Sequence, residues 1–260
     1  MKQFKFIYLF VFAGLMSCSS SDDSETTTTR TYADLEQDFN AFNFTTGIND
    51  VTMQDFTIFL WNFRVIMPDV DFTNNNRPLI ITLHGFANGD PNAHKNTACY
   101  AEPGFEAVDA IIISPNNDNL QWFNPLNEEF VLTLVQLASE NLPVDTSKII
   151  VNGYSDGGNG AWWFSEKYPS TFSAGIPMAS AYSSYNSDGS ARVVETPTYV
   201  IHGADDEVFD VQNTQNWVDD TVASGSDVTF VIAPGLTHTE PCSYVSYLQD
   251  AATWLVNDVW

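Results

Sequence analysis

A serine in a glycine-rich turn is the first place in this sequence where the residue types suggest chemistry. Ser155 lies at the centre of a Gly-x-Ser-x-Gly pattern that runs from Gly153 to Gly157. A short β-branched run, Ile149 to Val151, precedes the pattern, and a segment with helical periodicity follows it. This order predicts a strand, a sharp turn and a helix, with the serine hydroxyl exposed on a strained turn as a candidate nucleophile. The pattern is short and weak alone, so other residues must support it.

Two kinds of partner would make this serine reactive. A serine hydroxyl is a poor nucleophile at neutral pH, so Ser155 needs a base within hydrogen-bond reach and an acid that orients this base. Two of the four histidines follow Ser155, and His238 comes directly after the last predicted strand. The alternative is that His238 is an ordinary histidine in a surface loop. The acid is expected after the preceding predicted strand, where Asp205, Asp206 and Glu207 compete.

Short apolar runs alternate with helical segments along most of the chain. The runs predict an antiparallel start of the sheet within Phe56 to Met67, and then strands at Pro78 to Leu83, Ala110 to Ile113, Ile149 to Val151, Ala174 to Met178, Thr198 to Ile201 and Val228 to Ile232. Helical spacing is seen from Tyr32 to Phe44, Glu128 to Asn141, Val211 to Ala223 and Tyr244 to Val256. Strands that alternate with helices predict an α/β fold with a mostly parallel central sheet. The interval from Ala179 to Glu195, where a lid would be inserted, holds only 17 residues, so we expect no separate lid domain.

Composition limits the classes of function. The 260 residues are 44 % hydrophobic and 14 % aromatic, which suits one sizeable domain. The formal net charge of −24 repels phosphate backbones and argues against nucleic acid as a partner. No Cys-x-x-Cys and no His-Glu-x-x-His is present, so we expect no metal site. The chemistry of a serine nucleophile needs no cofactor.

The first residues have the pattern of an export signal. Lys2 and Lys5 precede an uncharged apolar run from Phe6 to Met16, which is too short to span a bilayer. The sequence Leu15-Met16-Ser17-Cys18 resembles a bacterial lipobox, in which the leader is removed and the cysteine is lipidated. The alternative is an ordinary signal peptide with an incidental cysteine. We therefore expect a signal peptide at 1–17, a lipidated Cys18 with a flexible tether at 18–31, and a catalytic domain at 32–260, anchored by lipid to the outer membrane or cell surface.

The other two cysteines, Cys99 and Cys242, form an even pair in a chain that is expected to be exported. A disulfide and two buried free thiols are equally open alternatives. A disulfide would hold the loop of His238 near the loop that follows Pro78 to Leu83.

Several motifs together resemble the phospholipase and carboxylesterase branch of the α/β-hydrolases, which includes predicted peptidases and feruloyl or acetylxylan esterase-like proteins. The resemblance covers the chain from about Arg77 onwards. It rests on Leu83-His84-Gly85, Gly153-Tyr154-Ser155-Asp156-Gly157-Gly158, Phe172 to Met178, His202-Gly203-Ala204-Asp205-Asp206 and His238. The chain departs from the family pattern in the loop after Gly85, and in Phe209-Asp210, which stands where a Val-Pro pair is common.

The resemblance implies roles for individual residues. Ser155 would be the nucleophile, His238 the base and Asp206 the orienting acid, with Asp205 as the second choice. The backbone amides of Phe86 and Asp156 would form the oxyanion hole. The carboxylate of Asp156 would disfavour anionic acyl groups.

Substrate contacts are harder to predict. Trp122, in a loop after a predicted strand, is a candidate to stack on a sugar or aryl group, and packing beneath the sheet is an equal alternative. Tyr154 is a candidate because it adjoins the nucleophile. The expected activity is hydrolysis of carboxylic esters, such as feruloyl or acetyl groups on a polysaccharide. The alternatives are a serine peptidase and a non-catalytic surface binding lipoprotein.

Overall fold

The computed structural model describes residues 29–73 and 75–260, and these form one eight-stranded mixed sheet with helices on both faces. The strands are β1 Gly47–Gln54, β2 Leu60–Met67, β3 Arg77–Leu83, β4 Ile111–Pro115, β5 Val144–Tyr154, β6 Ala174–Met178, β7 Thr198–Gly203 and β8 Val228–Ala233. Their order in the sheet is β1-β2-β4-β3-β5-β6-β7-β8. The pairs β1–β2 and β2–β4 are antiparallel, and the remaining pairs are parallel.

Six α-helices connect the strands. They are α1 Tyr32–Ala41, α2 Ala98–Gly104, α3 Pro125–Asn141, α4 Asp156–Lys167, α5 Val211–Ala223 and α6 Val245–Trp254. Short 3-10 turns lie at Ala93–Thr97, Glu106–Val108 and Pro241–Tyr244, and a π-helical turn, Leu255–Val259, follows α6. None of the helices in the described ranges is long and apolar enough to cross a membrane.

The central strands are apolar on both sides because each side of the sheet packs against a hydrophobic core. In β3, Leu79, Ile81 and Leu83 point into one core, while Ile80 points into the other. The first core includes residues of α1 and α3, and the second includes residues of α2 and α6. Burial on both faces explains why β3, β4 and β6 appear in the sequence as continuous apolar runs.

The structure confirms the predicted α/β class, the mostly parallel sheet and the absence of a separate lid domain. Between β6 and β7 the chain forms no helix, and its only pairing is an isolated bridge from Tyr185 to Ala191. Helix α2 and strand β1 were not predicted from the sequence. Strand β2 begins only at Leu60, and not at Phe56, because residues 55–59 form a turn. The predicted signal peptide, the lipidated Cys18 and nearly all of the tether lie outside the described residues.

Candidate active site

Ser155 is the single residue between the end of β5 and the start of α4. Its backbone angles, φ 57° and ψ −117°, lie in a region that residues other than glycine rarely adopt. The Ser155 N–H donates to the carbonyl of Met178 at 2.9 Å. A Cβ on Gly153 would lie 2.0 Å from the Gly157 carbonyl oxygen, and a Cβ on Gly157 would lie 2.1 Å from that of Leu83. Direct contacts between main chains therefore hold the serine on its strained turn.

A chain of two hydrogen bonds links Ser155, His238 and Asp206. Ser155 Oγ lies 2.8 Å from His238 Nε2, and His238 Nδ1 lies 2.8 Å from Asp206 Oδ2. A neutral imidazole with its proton on Nδ1 satisfies both contacts, because it donates to the carboxylate and accepts from the hydroxyl. The three residues follow β5, β7 and β8, so the ends of three parallel strands bring them to one edge of the sheet.

The structure distinguishes the three acids that compete in the loop after β7. The Asp206 side chain is fully buried, and its Oδ1 accepts the N–H groups of Val208 at 2.9 Å and Phe209 at 2.7 Å. These bonds fix the orientation of the carboxylate. Asp205 is exposed, while the carboxylate of Glu207 accepts the backbone N–H of His238 at 3.1 Å. Asp206 is thus the acid beside the imidazole, and Glu207 holds the histidine backbone.

Phe86 and Asp156, the residues expected to supply the N–H groups of an oxyanion hole, both lie beside Ser155. Phe86 follows β3, Asp156 is the first residue of α4, and both line the same cleft as Ser155. A Cβ on Gly85 would be 3.3 Å from Ser155 Cβ, so the loop after β3 lies against the serine. Neither N–H donates to an acceptor within the described part of the chain. Burial raises the pKa of the Asp156 carboxyl above its ordinary value.

The cleft above Ser155 has a volume of about 580 Å³. Its apolar lining residues include Phe86, Val208 and Phe209. Residues with side-chain amides also line it, namely Asn117, Asn119, Gln121 and Asn159. From the sequence, Phe86 was expected only for its backbone amide, Phe209 stood out only as a departure from the family pattern, and the loop of Gln121 was expected to face the site. The cleft can therefore offer an ester both an apolar and a hydrogen-bonding surface.

Of the two predicted substrate-binding residues, the structure brings only Tyr154 to the cleft. Its ring is largely buried and lies 5.7 Å from the His238 ring, centroid to centroid. Trp122 is wholly buried, and its Nε1 donates to the His84 carbonyl at 3.0 Å. This placement corrects the expectation that Trp122 contacts substrate, because a ring without exposed surface packs beneath the loop instead. The structure thus agrees with the other possibility for Trp122, which was packing in the interior.

A disulfide joins Cys99 in α2 to Cys242 in the turn Pro241–Tyr244. Cys242 is four residues beyond His238, so the bond ties the histidine loop to the helix that follows the loop of Phe86. Of the two alternatives left open by the sequence, the structure contains the bonded form. Within the described ranges, no group of three or more His, Cys, Asp or Glu side chains is arranged to hold a metal ion.

Comparison with known proteins reveals similarity in structure. No model of a protein family and no curated protein sequence matches the chain. A thermostable esterase superposes with a TM-score of 0.66 at 22 % identity, over 80 % of this chain, which spans only 62 % of that esterase's length. A substrate-bound, fluorophosphonate-binding serine hydrolase from Staphylococcus aureus gives a TM-score of 0.66 at 16 % identity, over 82 % of this chain and 100 % of its own.

A ferulic acid esterase from the anaerobic fungus Anaeromyces mucronatus is also similar, with a TM-score of 0.61 at 14 % identity, over 79 % of this chain and 89 % of its own. At these identities the comparisons establish the fold, which is the α/β-hydrolase fold. The predicted fold class is therefore confirmed. The function has to be argued from the site.

Proposed function

We propose that this chain is a serine hydrolase that cleaves carboxylic esters through an acyl-enzyme intermediate. The observation that carries the proposal is the pair of 2.8 Å contacts that link Ser155, His238 and Asp206 beside an open cleft. The three residue types, their order along the hydrogen-bond chain and the strained turn of the serine all match the requirements of nucleophilic acyl transfer.

In the first half of the reaction, Ser155 Oγ attacks the carbonyl carbon of the ester while His238 Nε2 takes its proton. The carbonyl oxygen becomes an oxyanion, for which the N–H groups of Phe86 and Asp156 are available donors. Each such donor is worth about 3 kcal/mol in the transition state. Asp206 stabilises the imidazolium that forms on His238.

The tetrahedral intermediate then collapses. The carbon–oxygen bond to the alcohol breaks, and His238 returns its proton to the departing alkoxide, which leaves an acyl group on Ser155. A water molecule takes the place of the alcohol, gives a proton to His238 and attacks the acyl carbon. The second collapse releases the acid and restores the serine hydroxyl. Every proton lost by a nucleophile is thus returned to a leaving group through one imidazole.

The cleft supports an ester between an apolar acyl group and a hydroxylated alcohol. The apolar lining residues suit an acyl or aryl group, while Asn119 and Gln121 are exposed amides that can bond hydroxyl groups. Feruloyl or acetyl esters on a polysaccharide have this combination. The ferulic acid esterase among the similar structures agrees with this choice, although the fold alone does not dictate a substrate.

The proposal places the enzyme outside the cytoplasm, held to the outer membrane or cell surface by a lipid on Cys18. The apolar run from Phe6 to Met16 and the lipobox-like Leu15-Met16-Ser17-Cys18 support export. The disulfide between Cys99 and Cys242 supports it independently, because such bonds persist in oxidising compartments.

The test is hydrolysis of p-nitrophenyl esters from acetate to octanoate, and of methyl ferulate, by the purified protein. The Ser155→Ala variant should lose essentially all activity, while the exposed Ser187→Ala control should retain it. Mass spectrometry should locate a fluorophosphonate adduct on Ser155 alone. Cleavage of peptide amides with no ester hydrolysis would favour the peptidase instead. Inertness to both classes would favour a binding protein.

A further inference from the structure

The tip of the hairpin formed by β1 and β2 exposes three consecutive apolar side chains. Ile58, Phe59 and Leu60 are 66 %, 73 % and 60 % exposed. The tip is an ordered turn, because the Asp55 carboxylate accepts the N–H groups of Thr57 at 2.7 Å and Phe59 at 2.9 Å. Ile58 has φ 69°, which is costly for a β-branched residue. The fold thus accepts backbone strain to present apolar side chains to the outside.

This hairpin tip lies at the same edge of the sheet as Ser155. Strand β2 runs antiparallel to β4, and Phe63 is opposite Pro115, the last residue of β4. Leu60 therefore lies at the edge where β3, β4 and β5 end. In the sheet order, β2 is three strands away from β5, a distance of about 14 Å at the usual strand spacing.

The exposed phenylalanine and leucine side chains lie at the same edge, whereas exposed valine and isoleucine side chains are spread over the domain. Every exposed Phe or Leu in the described ranges follows β3 or β4, or belongs to the hairpin tip. Together with Ile58 they define what we call the apolar edge, which consists of Ile58, Phe59, Leu60, Phe86, Phe123 and Leu126. Several large apolar side chains exposed along one edge are a feature of surfaces that contact a partner or a membrane.

The N-terminal segment joins the folded domain beside the hairpin. The Arg30 N–H donates to the Phe56 carbonyl at 3.2 Å, and its guanidinium donates to the Gln54 carbonyl at 3.2 Å. Cys18, the proposed site of the lipid, is only 12 residues before Arg30. A chain of that length spans at most about 40 Å, so the anchor holds the hairpin close to the bilayer.

We propose that the apolar edge docks onto the lipid bilayer that holds the N-terminus, with the hairpin tip at the boundary between headgroups and acyl chains. Such a boundary accepts short apolar segments. The net charge of −24 opposes binding to anionic lipid, so the docking that we propose is onto zwitterionic lipid. The cleft then opens next to the membrane surface. The proposal rests on the proposed lipid anchor and is independent of the ester chemistry.

The test uses the full-length lipidated protein in phosphatidylcholine vesicles. The chain has three cysteines, of which two are bonded and Cys18 would be acylated, so Phe59→Cys introduces a single free thiol for an environment-sensitive fluorophore. Ile48→Cys is the matched control, because Ile48 is 51 % exposed at the opposite end of the same hairpin. We expect the emission at position 59 to shift to the blue. Lipids with a nitroxide on the acyl chain should quench it at least threefold more strongly than at position 48.

Equal quenching at the two positions, or none at position 59, would overturn the proposal. So would a blue shift at position 59 that occurs without vesicles and grows with protein concentration, because a second copy would then cover the edge. A shift caused by soluble polysaccharide and not by lipid would overturn it equally.

If Phe59→Cys does not fold, Thr57→Cys places the fluorophore in the same turn and tests the same contact. Hydrolysis of p-nitrophenyl acetate in the same samples separates the two proposals: quenching without activity counts only against the esterase, and activity without quenching counts only against docking.

Discussion

The Nε2 atom of His202 lies 3.4 Å from Oδ2 of Asp206, the same oxygen that lies beside His238. His202 is wholly buried, and its Nε2 donates to the Phe209 carbonyl at 2.8 Å. Burial lowers the pKa of His202 despite the opposing effects of that carbonyl and of Asp206, so the ring is neutral at pH 7. A neutral ring with its proton on Nε2 bonds the Phe209 carbonyl and so holds the loop that supplies two N–H groups to Asp206.

Replacement of His202 should therefore impair the orientation of Asp206 and not the binding of substrate. We expect His202→Leu to lower kcat by about tenfold to a hundredfold with KM within a few fold, because an acid without its support orients His238 poorly. His202→Gln keeps a donor and should recover part of the loss. Steady-state kinetics of both variants on one ester checks this. Equal losses in the two variants would point to a general packing defect.

Asp156 should set the preference for the charge of the acyl group. Its carboxylate lines the cleft beside Ser155, so we expect Asp156→Asn to raise kcat/KM for p-nitrophenyl hemiglutarate about tenfold relative to the butyrate ester. Burial raises the pKa of Asp156, so the group is neutralised at a higher pH than an ordinary aspartate. The preference of the wild type for the neutral ester should then weaken as pH falls from 8 to 5, whereas that of the variant stays constant. A ratio that does not respond to the mutation would exclude this role.

The disulfide should stabilise both the domain and the position of His238. Cys99 and Cys242 are 143 residues apart. Closure of so long a loop lowers the conformational entropy of the unfolded chain and so stabilises the folded state by about 4 to 5 kcal/mol. We expect Cys99→Ser with Cys242→Ser to lower the urea midpoint markedly and kcat a few fold. Treatment of the wild type with reductant should reproduce both effects and leave the double variant unchanged. Identical urea midpoints for the wild type with and without reductant would contradict the prediction.

Stability should fall in mild acid because buried histidines are held neutral. Burial lowers the pKa of His94 to about 4, while the unfolded chain has a histidine pKa near 6.5. The unfolded state therefore binds the proton first, and the stability present above pH 6.5 is lost as pH falls towards 4. We expect His94 to account for roughly 2 kcal/mol of this loss. Urea unfolding of the wild type and His94→Gln at pH 7 and pH 4.5 checks it, since the variant should show the smaller decrease.

That Ser155, His238 and Asp206 lie together could be predicted from the sequence, because strand ends and chain order constrain their positions strongly. Ser155 and His238 each follow a recognisable apolar run, and parallel strands bring such positions to one edge. The choice of Asp206 over its neighbours depended on the family resemblance. Only the structure shows the reason, which is that the N–H groups of Val208 and Phe209 fix its carboxylate.

The elements that the sequence did not reveal are those whose local signals are weak. Strand β1 has buried Val51 and Met53 among polar residues, and the turn after it contains no glycine or proline. The geometry of this turn depends on the Asp55 side chain and on the positive φ of Ile58. The apolar run from Phe56 to Met67 therefore gave no sign of where the turn ends and β2 begins. For Trp122, the sequence could not decide between the cleft and the core, because the decisive contact is with the His84 carbonyl.

The main-chain contacts of Gly153 and Gly157 have a consequence for how related sequences should be interpreted. A side chain at either position would overlap a backbone oxygen, so we expect relatives that keep the geometry of this turn to keep both glycines, whether or not they hydrolyse esters. The two glycines are therefore evidence for the backbone geometry of the turn and not for the activity. A homologue that lacks His238 or Asp206 could still carry the intact glycine pattern. A sequence search based on that pattern alone would therefore also return inactive proteins.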